Sequence, residues 1–579
     1  MQPLTTTLLC CALAATQDAP RPDPTVPTPP AIVPDPVVVA PTDRRDGAGL
    51  AAVIDALVAR HPKALRAETI GTSAGQRPIR LLSVSADAAT ADSRPAILVV
   101  AGMDGHRWSG TETVLAMAEL LATSPPAWLS DVTLYLVPRA NPDAAERFMT
   151  GPRRTTASNG MLHDNDHDGR SEEDPPVDLD GDGRITQLRA PTPILPWPAA
   201  TLVSDPAESR LLRTPDPAAG TPPAYTVWTE GFDHDGDGLI AEDWPGGIDP
   251  ERNFPHRWPE LEDEAGAYAL FAQEAKALAT LVERRRNVFA ALVIGRHDTV
   301  VRVPDTRART AAGLPEMLDE GDAAPYGAVA RAWVEATGQR RADGADTAGS
   351  FTAWMNVHRG IPTFATTLWG RPDLPEPEGA PAAPKGAPKP ADEDAALWLR
   401  YSDTMRGGSG FVPWKPVQHP QLQGAEVGGW VAGFRENPPV EEVLPLAEKC
   451  GTFLGRLAAH RPEVELAEPR ITELAPGVWR IEATVVNRGK LPTVLRPARN
   501  TRIVPPHTLR VSVPATRVRA GRRMVLLRGI DPGQRSVVEW VVTVTPGEPV
   551  AVTLARGGDT LAERTLQAPS PAAPAGAAP

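Results

Sequence analysis

From residue 46 to about 460, short apolar runs alternate with longer stretches in which apolar residues recur every three or four positions. "RPAILVVAGM" (94–103), "DVTLYLVPRA" (131–140), "NVFAALVIG" (287–295) and "IPTFATTLW" (361–369) have the apolar centres of strands buried on both faces. "GLAAVIDALVARHP" (49–62), "TETVLAMAELLAT" (111–123) and "AGAYALFAQEAKALATLVERRR" (265–286) have helical spacing. The pattern predicts a three-layer α/β domain with a mixed sheet over 46–460. Functional groups of such sheets gather in loops at the carboxyl ends of strands. From about residue 463 the period shortens. "GVWRIEATVVNRG" sends Trp479, Ile481, Ala483 and Val485 to one face, and further short strands follow between Gly and Pro turns. This predicts an all-β sandwich over 463–568, a stabilising or spacer module.

Composition adds boundaries. Many of the 65 prolines cluster, predicting a Pro-rich linker over 20–45 and a Pro-rich insertion over 371–392. The tail 569–579 is expected to be disordered. The N-terminus "MQPLTTTLLCCALAATQDAP" has an apolar stretch and an Ala12-Leu13-Ala14 cleavage pattern, without a basic leading segment. It predicts a signal peptide over 1–19 and a secreted, periplasmic or cell-surface protein. Cys10 and Cys11 would leave with it, so Cys450 alone remains and a disulfide framework is excluded. No other stretch has transmembrane length.

The net charge of −13 is local. Residues 164–182 carry nine acids and one Arg, residues 233–243 carry five acids and no Lys or Arg, and together they account for the whole excess. With no basic stripe, no nucleic-acid partner is expected. The acids repeat as Asp-x-Asp-x-Asp-Gly. The three copies are Asp164, Asp166, Asp168; Asp178, Asp180, Asp182; and Asp233, Asp235, Asp237. Alternating carboxylates around a Gly turn suit a hard cation with oxygen ligands, so calcium is expected. The Glu at position twelve of an EF-hand is missing. The first and third copies have Glu173, Asp174 and Glu242, Asp243 instead, and the second has no acid in its C-terminal half. The expected role of calcium is to order a long insertion over 158–248.

The stretch "VAGMDGHRWSGTE" (100–112) places Asp104, His106, Arg107 and Glu112 where a strand runs into a helix. Around it, "IGTSAGQRPIRLLSVS" (70–85), "PRANPDAAERF" (138–148), "DPERNFPHRW" (249–258), "VIGRHDTVVRVP" (293–304) and "GSFTAWMNVHRGIPTFATTLW" (349–369) follow in order. Together they resemble the zinc metallocarboxypeptidases of the carboxypeptidase A type over about 65–370. The resemblance implies a carboxypeptidase-like fold and a zinc held by two His and one Glu, with an open position for water. It further implies a Glu as general base, and Arg residues for the substrate carboxylate and the oxyanion.

Carried over residue by residue, the chemistry is altered. With Gly110 and Glu112 aligned, Asp104 stands at the first ligand and Arg107 at the second; a two-residue shift brings in His106 and leaves Ser109 for the Glu. Arg cannot ligate zinc. His297 matches the last ligand. The carboxylate-binding Asn-Arg pair becomes Glu251-Arg252. The oxyanion Arg is Arg153 or Arg154, and the general-base position is Thr367, which cannot act as a base near neutral pH. Arg107 is expected to pair with Asp104 or Glu251 and to occupy the space of the metal. Zinc, if held, would use His297, Asp104 and His106.

The function expected is a secreted carboxypeptidase-like protein with impaired catalysis, binding peptide or protein C-termini or serving as a scaffold. Two alternatives stay open. One is an active zinc carboxypeptidase with a rearranged site and Glu112 or Glu251 as base; the other is a calcium-stabilised surface interaction protein.

Overall fold

The computed structural model describes residues 39–162, 170–172, 174–191, 201–216, 218, 220, 223–236, 238–242, 247–342, 344, 346–375 and 388–568. The expected signal peptide, most of the Pro-rich linker, residues 376–387 of the Pro-rich insertion and the tail lie outside them, as do Asp164, Asp166, Asp168, Glu173, Asp237 and Asp243. No helix among the described residues is long and apolar enough to cross a membrane.

Eight α-helices are described: α1 (Gly47–Arg60), α2 (Trp108–Thr123), α3 (Pro142–Thr150), α4 (Gln273–Arg284), α5 (Ala323–Thr337), α6 (Phe351–Trp354), α7 (Glu393–Met405) and α8 (Val443–Ala458). The principal strands are β1 (Leu65–Thr72), β2 (Pro78–Val84), β3 (Ala96–Ala101), β4 (Thr133–Val137), β5 (Gln187–Pro191), β6 (Thr201–Ser204), β7 (Leu212–Arg213), β8 (Tyr225–Thr229), β9 (Val288–Ile294), β10 (Thr363–Thr366), β11 (Phe411–Pro416) and β12 (Glu426–Trp430). The mixed sheet has the order β1-β2-β4-β3-β9-β10. β1, β2 and β4 pair antiparallel; β4, β3, β9 and β10 run parallel. Alternation along β3 divides the core. Ile97, Val99 and Ala101 face a cluster with α1, α2, α5 and α8, whereas Leu98 and Val100 face α4 and α6. This is the three-layer arrangement expected from the doubly apolar runs.

Register brings the site together. Ala101 and Thr366 both pair with Ile294, so the chain leaves three neighbouring strands at one edge. Asp104, Arg296 and Thr367 follow within three residues of those strand ends.

The expected helix over 265–286 is shorter than its pattern. Only Gln273–Arg284 is α-helical. Gly266 and Leu270 have φ of +75° and +63°. The buried Asn253 side chain takes the backbone instead: its Nδ2 donates to the Ala265 and Tyr268 carbonyls (2.6 and 2.9 Å), and its Oδ1 accepts from Ala272 N (2.8 Å). A tertiary amide thus outcompetes local helical propensity.

Nor is the acidic insertion a bare loop. β5, β6, β7 and β8 join β11 and β12 in a second six-stranded sheet, order β11-β12-β5-β8-β6-β7. Leu188, Ala190, Ile240, Leu422 and Val427 form a small core there. Beyond Val464 the chain makes two wholly antiparallel sheets. Trp479, Ile481, Ala483 and Val485 are all buried as their alternation requires, against Trp540, Leu509, Val511 and Leu554. This strand-rich region docks on the α/β part. Arg496 N donates to Asp322 Oδ2 (2.8 Å), and Leu495 N donates to the Gly360 carbonyl (2.9 Å).

Two glycines give opposite expectations. A Cβ on Gly105 would lie 2.2 Å from the Ala144 carbonyl oxygen, which cannot move aside. Gly105→Ala is expected to cost about 1–3 kcal/mol in urea unfolding. On Gly327, inside α5, a Cβ meets only the Arg331 guanidinium at 3.6 Å. Gly327→Ala is expected to stabilise by roughly 0.5–1 kcal/mol.

Candidate functional site

β3 ends in a turn that only glycine permits. Gly102 has φ +66°, and a Cβ there would sit 2.9 Å from Arg139 Cα. Asp104, almost fully buried, follows. His106 is buried too, its Nδ1 3.0 Å from the Thr156 carbonyl oxygen. α2 then starts with Arg107 at its cap position but without a side-chain cap from it. Asn437 serves from a distance: its Oδ1 accepts from Ser109 N (3.0 Å), and its Nδ2 donates to the His106 carbonyl (2.7 Å).

Arg296 occupies the centre. It leaves β9 one residue after Gly295, and its two terminal nitrogens reach different acids. Nη2 donates to Asp104 Oδ1, and Nη1 lies 2.6 Å from Asp249 Oδ2. Both carboxylates are buried, and Arg107 Nε stands 3.5 Å from the other Asp104 oxygen. Burial alone would raise the Asp104 pKa, but Arg296 first and Arg107 next outweigh it and hold the carboxyl down at about 2. The same two acids raise the pKa of Arg296 against the opposing effect of burial. Asp249 also caps the turn Pro250–Arg252, its Oδ1 accepting from Glu251 N (2.9 Å).

Arg107 does approach Asp104, as expected, yet Glu251 goes elsewhere. Its Oε1 lies 3.4 Å from His297 Nε2 and accepts from Phe351 N (3.2 Å). Burial raises its pKa. Arg252 points to Glu262. Arg153 pairs with Asp43 at 2.9 Å and lies over the Phe148 ring. Arg154, in contrast, lines a cleft of about 280 Å³ with Asp104, His106, Arg107, Glu264 and Arg296. Thr367 Oγ1 accepts from Gln339 Nε2 (3.1 Å) and donates to the Trp369 carbonyl (3.2 Å). Glu112 is locked by Arg45, whose Nε and Nη2 donate to it at 2.7 and 2.9 Å.

The residues that the resemblance gives to zinc carry other contacts here. Asp104 is shared by two guanidinium groups. The donor atoms of Asp104, His106 and His297 are not among the described clusters of three lying within 4.8 Å of one another. Two fixed positive charges beside the one available carboxylate oppose a dication.

The described clusters of that kind lie in the acidic loops: Asp174, Asp233, Asp235 and Asp178, Asp180, Glu230. Asp233 folds its loop locally, accepting from Gly236 N (2.6 Å) and Gly238 N (3.1 Å). Asp178 does the same with Gly181 N (2.8 Å) and Gly183 N (2.7 Å). Asp182 accepts from Arg184 N at 2.9 Å and stands outside both clusters. Glu230, which the spacing did not mark, supplies the acid missing from the second loop, and Lys415 Nζ reaches Asp180 at 2.5 Å. Arg296 and Asp249 were also unmarked. Both sit beside residues that stood out, in "GRHD" and "DPER", but nothing local tells that they pair.

Residues 50–181 match the family model described as zinc carboxypeptidase. Residues 463–564 match one described as a domain of unknown function (DUF8731). No curated protein matches the chain. Among solved structures, bovine thrombin-activatable fibrinolysis inhibitor in complex with tick carboxypeptidase inhibitor is 14% identical, with 72% of this chain and 96% of that one covered at a TM-score of 0.36. Carboxypeptidase A from Helicoverpa armigera is 13% identical (55% and 63% covered, TM-score 0.34). A metallo-carboxypeptidase from Burkholderia cenocepacia is 12% identical (71% and 68%, TM-score 0.32). The α/β part is carboxypeptidase-like, and the resemblance read from the motifs holds.

Arg296→Met would leave two buried aspartates without their shared cation and is expected to cost about 3–5 kcal/mol in denaturant unfolding. A pH expectation follows from Asp104. Its folded pKa of about 2 lies below the ordinary 3.8, so its contribution is present above about pH 4 and is lost as pH falls toward 2. In Asp104→Asn, the fall in stability between pH 4 and 2 is expected to be shallower than in the parent; Asp43→Asn is the partly exposed control. An unchanged slope would contradict the assignment.

Proposed function

We propose that this chain is an exported protein whose carboxypeptidase-like domain, over 46–460, has lost efficient hydrolysis and binds peptide or protein C-termini. The observation that carries the reading is Arg296 spanning Asp104 and Asp249. A guanidinium neutralises the acids that would otherwise be free to attract a metal. Thr367 at the family's general-base position and Glu112, one of the candidate bases, are both held by other partners. Arg154 supplies the binding chemistry. Burial first, and the cation of Arg147 second, lower its guanidinium to about 10. A carboxylate entering the cleft offsets both effects and forms a charge-assisted pair. The strand-rich region over 463–568 is read as a spacer, and residues 1–19 as an export signal.

A second reading concerns the acidic loops, which we assign to calcium. Asp174 is fully buried, its Oδ2 has no hydrogen-bond partner among the described residues, and its donor atom lies within 4.8 Å of those of Asp233 and Asp235. Burial, then the charges of Asp235 and Asp233, raise its pKa against the His234 amide hydrogen bond. A cation with oxygen ligands relieves both burial and repulsion.

Fluorescence anisotropy with a short labelled peptide tests the first reading. The free acid is expected to bind at least tenfold more tightly than the amide, Arg154→Ala to erase the difference, and no cleavage product to form with added zinc. Equal binding of acid and amide, or steady hydrolysis, would overturn it. Calcium is expected to raise the melting temperature of the parent protein and to lose most of that effect in Asp174→Asn; an equal shift in both would refute the calcium assignment.

A further inference from the structure

At the amino ends of β3 and β9, opposite the site described above, a larger cleft lies between the α/β part and the strand-rich region. It measures about 630 Å³, within the usual range of small-molecule sites. Six arginines line it: Arg94, Arg284, Arg285, Arg286, Arg359 and Arg556, against two aspartates, Asp92 and Asp559. In a chain of net charge −13 this is a concentrated positive surface.

The arginines divide by partner. Arg285 is paired with Glu68 and with Asp92 (2.9 Å). Arg94 donates to Ser85 Oγ at 2.8 Å, and Arg359 stands 3.6 Å from Glu283. For Arg284, Arg286 and Arg556, no ion pair exists among the described residues. Arg284 and Arg286 are exposed at the end of α4. Arg556 projects from the strand Pro549–Arg556, before the Gly557-Gly558 turn. Desolvation, with no carboxylate in compensation, lowers its pKa. Its strand neighbour His507 is buried, and burial followed by the Arg556 cation drives its pKa to about 3. His507 is therefore neutral, and the positive charge of the cleft comes from arginine alone.

We propose that this cleft binds a small polyanion, a molecule carrying two or more phosphate or carboxylate groups. Guanidinium groups recognise oxyanions with paired hydrogen bonds, and three of those lining the cleft make no ion pair among the described residues. The ligand bridges both parts of the chain, because Arg284 and Arg286 belong to one and Arg556 to the other. A single phosphate would leave most of the cleft unfilled, whereas a doubly or triply charged molecule spans it.

Isothermal titration calorimetry of the full chain tests this, with fructose 1,6-bisphosphate in one arm and tricarballylate in the other. Neither probe is a strong chelator, so the acidic loops do not interfere. Expected is saturable one-site binding of at least one probe, weakening as salt rises. The arm that binds identifies the oxyanion. Arg286→Glu, at an exposed position that leaves the fold intact, is expected to weaken binding at least tenfold, and Arg556→Gln likewise. Arg523→Glu, on an exposed arginine outside the cleft, is expected to leave it unchanged. Absence of saturable binding by either probe would overturn the proposal, as would equal weakening by Arg523→Glu. The peptide-binding cleft shares no residue with this one, so either proposal can fail alone.

Discussion

A single buried guanidinium organises the site end of this molecule. Arg296 is held at the carboxyl edge of the parallel strands by two buried acids, Asp104 from the turn after one strand and Asp249 from a distant segment. A buried carboxylate is costly unless it is paired and hydrogen-bonded. Once Asp104 and Asp249 lie inside, the cation between them is obligatory. The neighbouring geometry follows from it. Asp249 starts the turn that presents Glu251 to His297, and Arg107 completes the shell around Asp104 at the head of α2. Residues 50–181 match the zinc carboxypeptidase family model, and the charges at the carboxyl ends of the parallel strands are arranged around an arginine.

A contrasting arrangement holds the acidic insertion. There the acids outnumber local cations, and the backbone turns its amides toward Asp178 and Asp233. Backbone amides satisfy some of the oxygens. They cannot balance the charge at Asp174, which is buried beside two other carboxylates. The second sheet gives these loops a rigid base, since β5 and β8 leave directly from the segments that carry them. Negative charge is thus buried in two settings, beside an internal arginine at one site and beside other carboxylates at the other.

Much of this was legible in the residues. Apolar runs gave the strands of the mixed sheet, and period-two alternation gave the buried face Trp479, Ile481, Ala483, Val485, because burial on one or both faces leaves a direct trace in sequence. Asp104, His106, Arg107, Glu251 and His297 were marked by chemistry and by family order, and all five are buried or close to the cleft. What was not legible depends on contacts distant in sequence. Asn253 shortens a helix twelve residues away, Asn437 caps α2 from over three hundred residues downstream, and Glu230 completes a loop fifty residues earlier. Arg296 itself looks like a surface residue beside a conspicuous histidine. Only the register of three strands shows that it points at two acids.

Zinc stoichiometry, measured by atomic emission after equilibration with excess zinc and exhaustive dialysis, tests the role of Arg296 most directly. The expected result is far less than one zinc per chain, with no difference between the parent and His297→Ala. One zinc per chain in the parent, lost in His297→Ala and in Asp104→Ala, would mean that the metal displaces Arg296 from its acids and would contradict this account of the site.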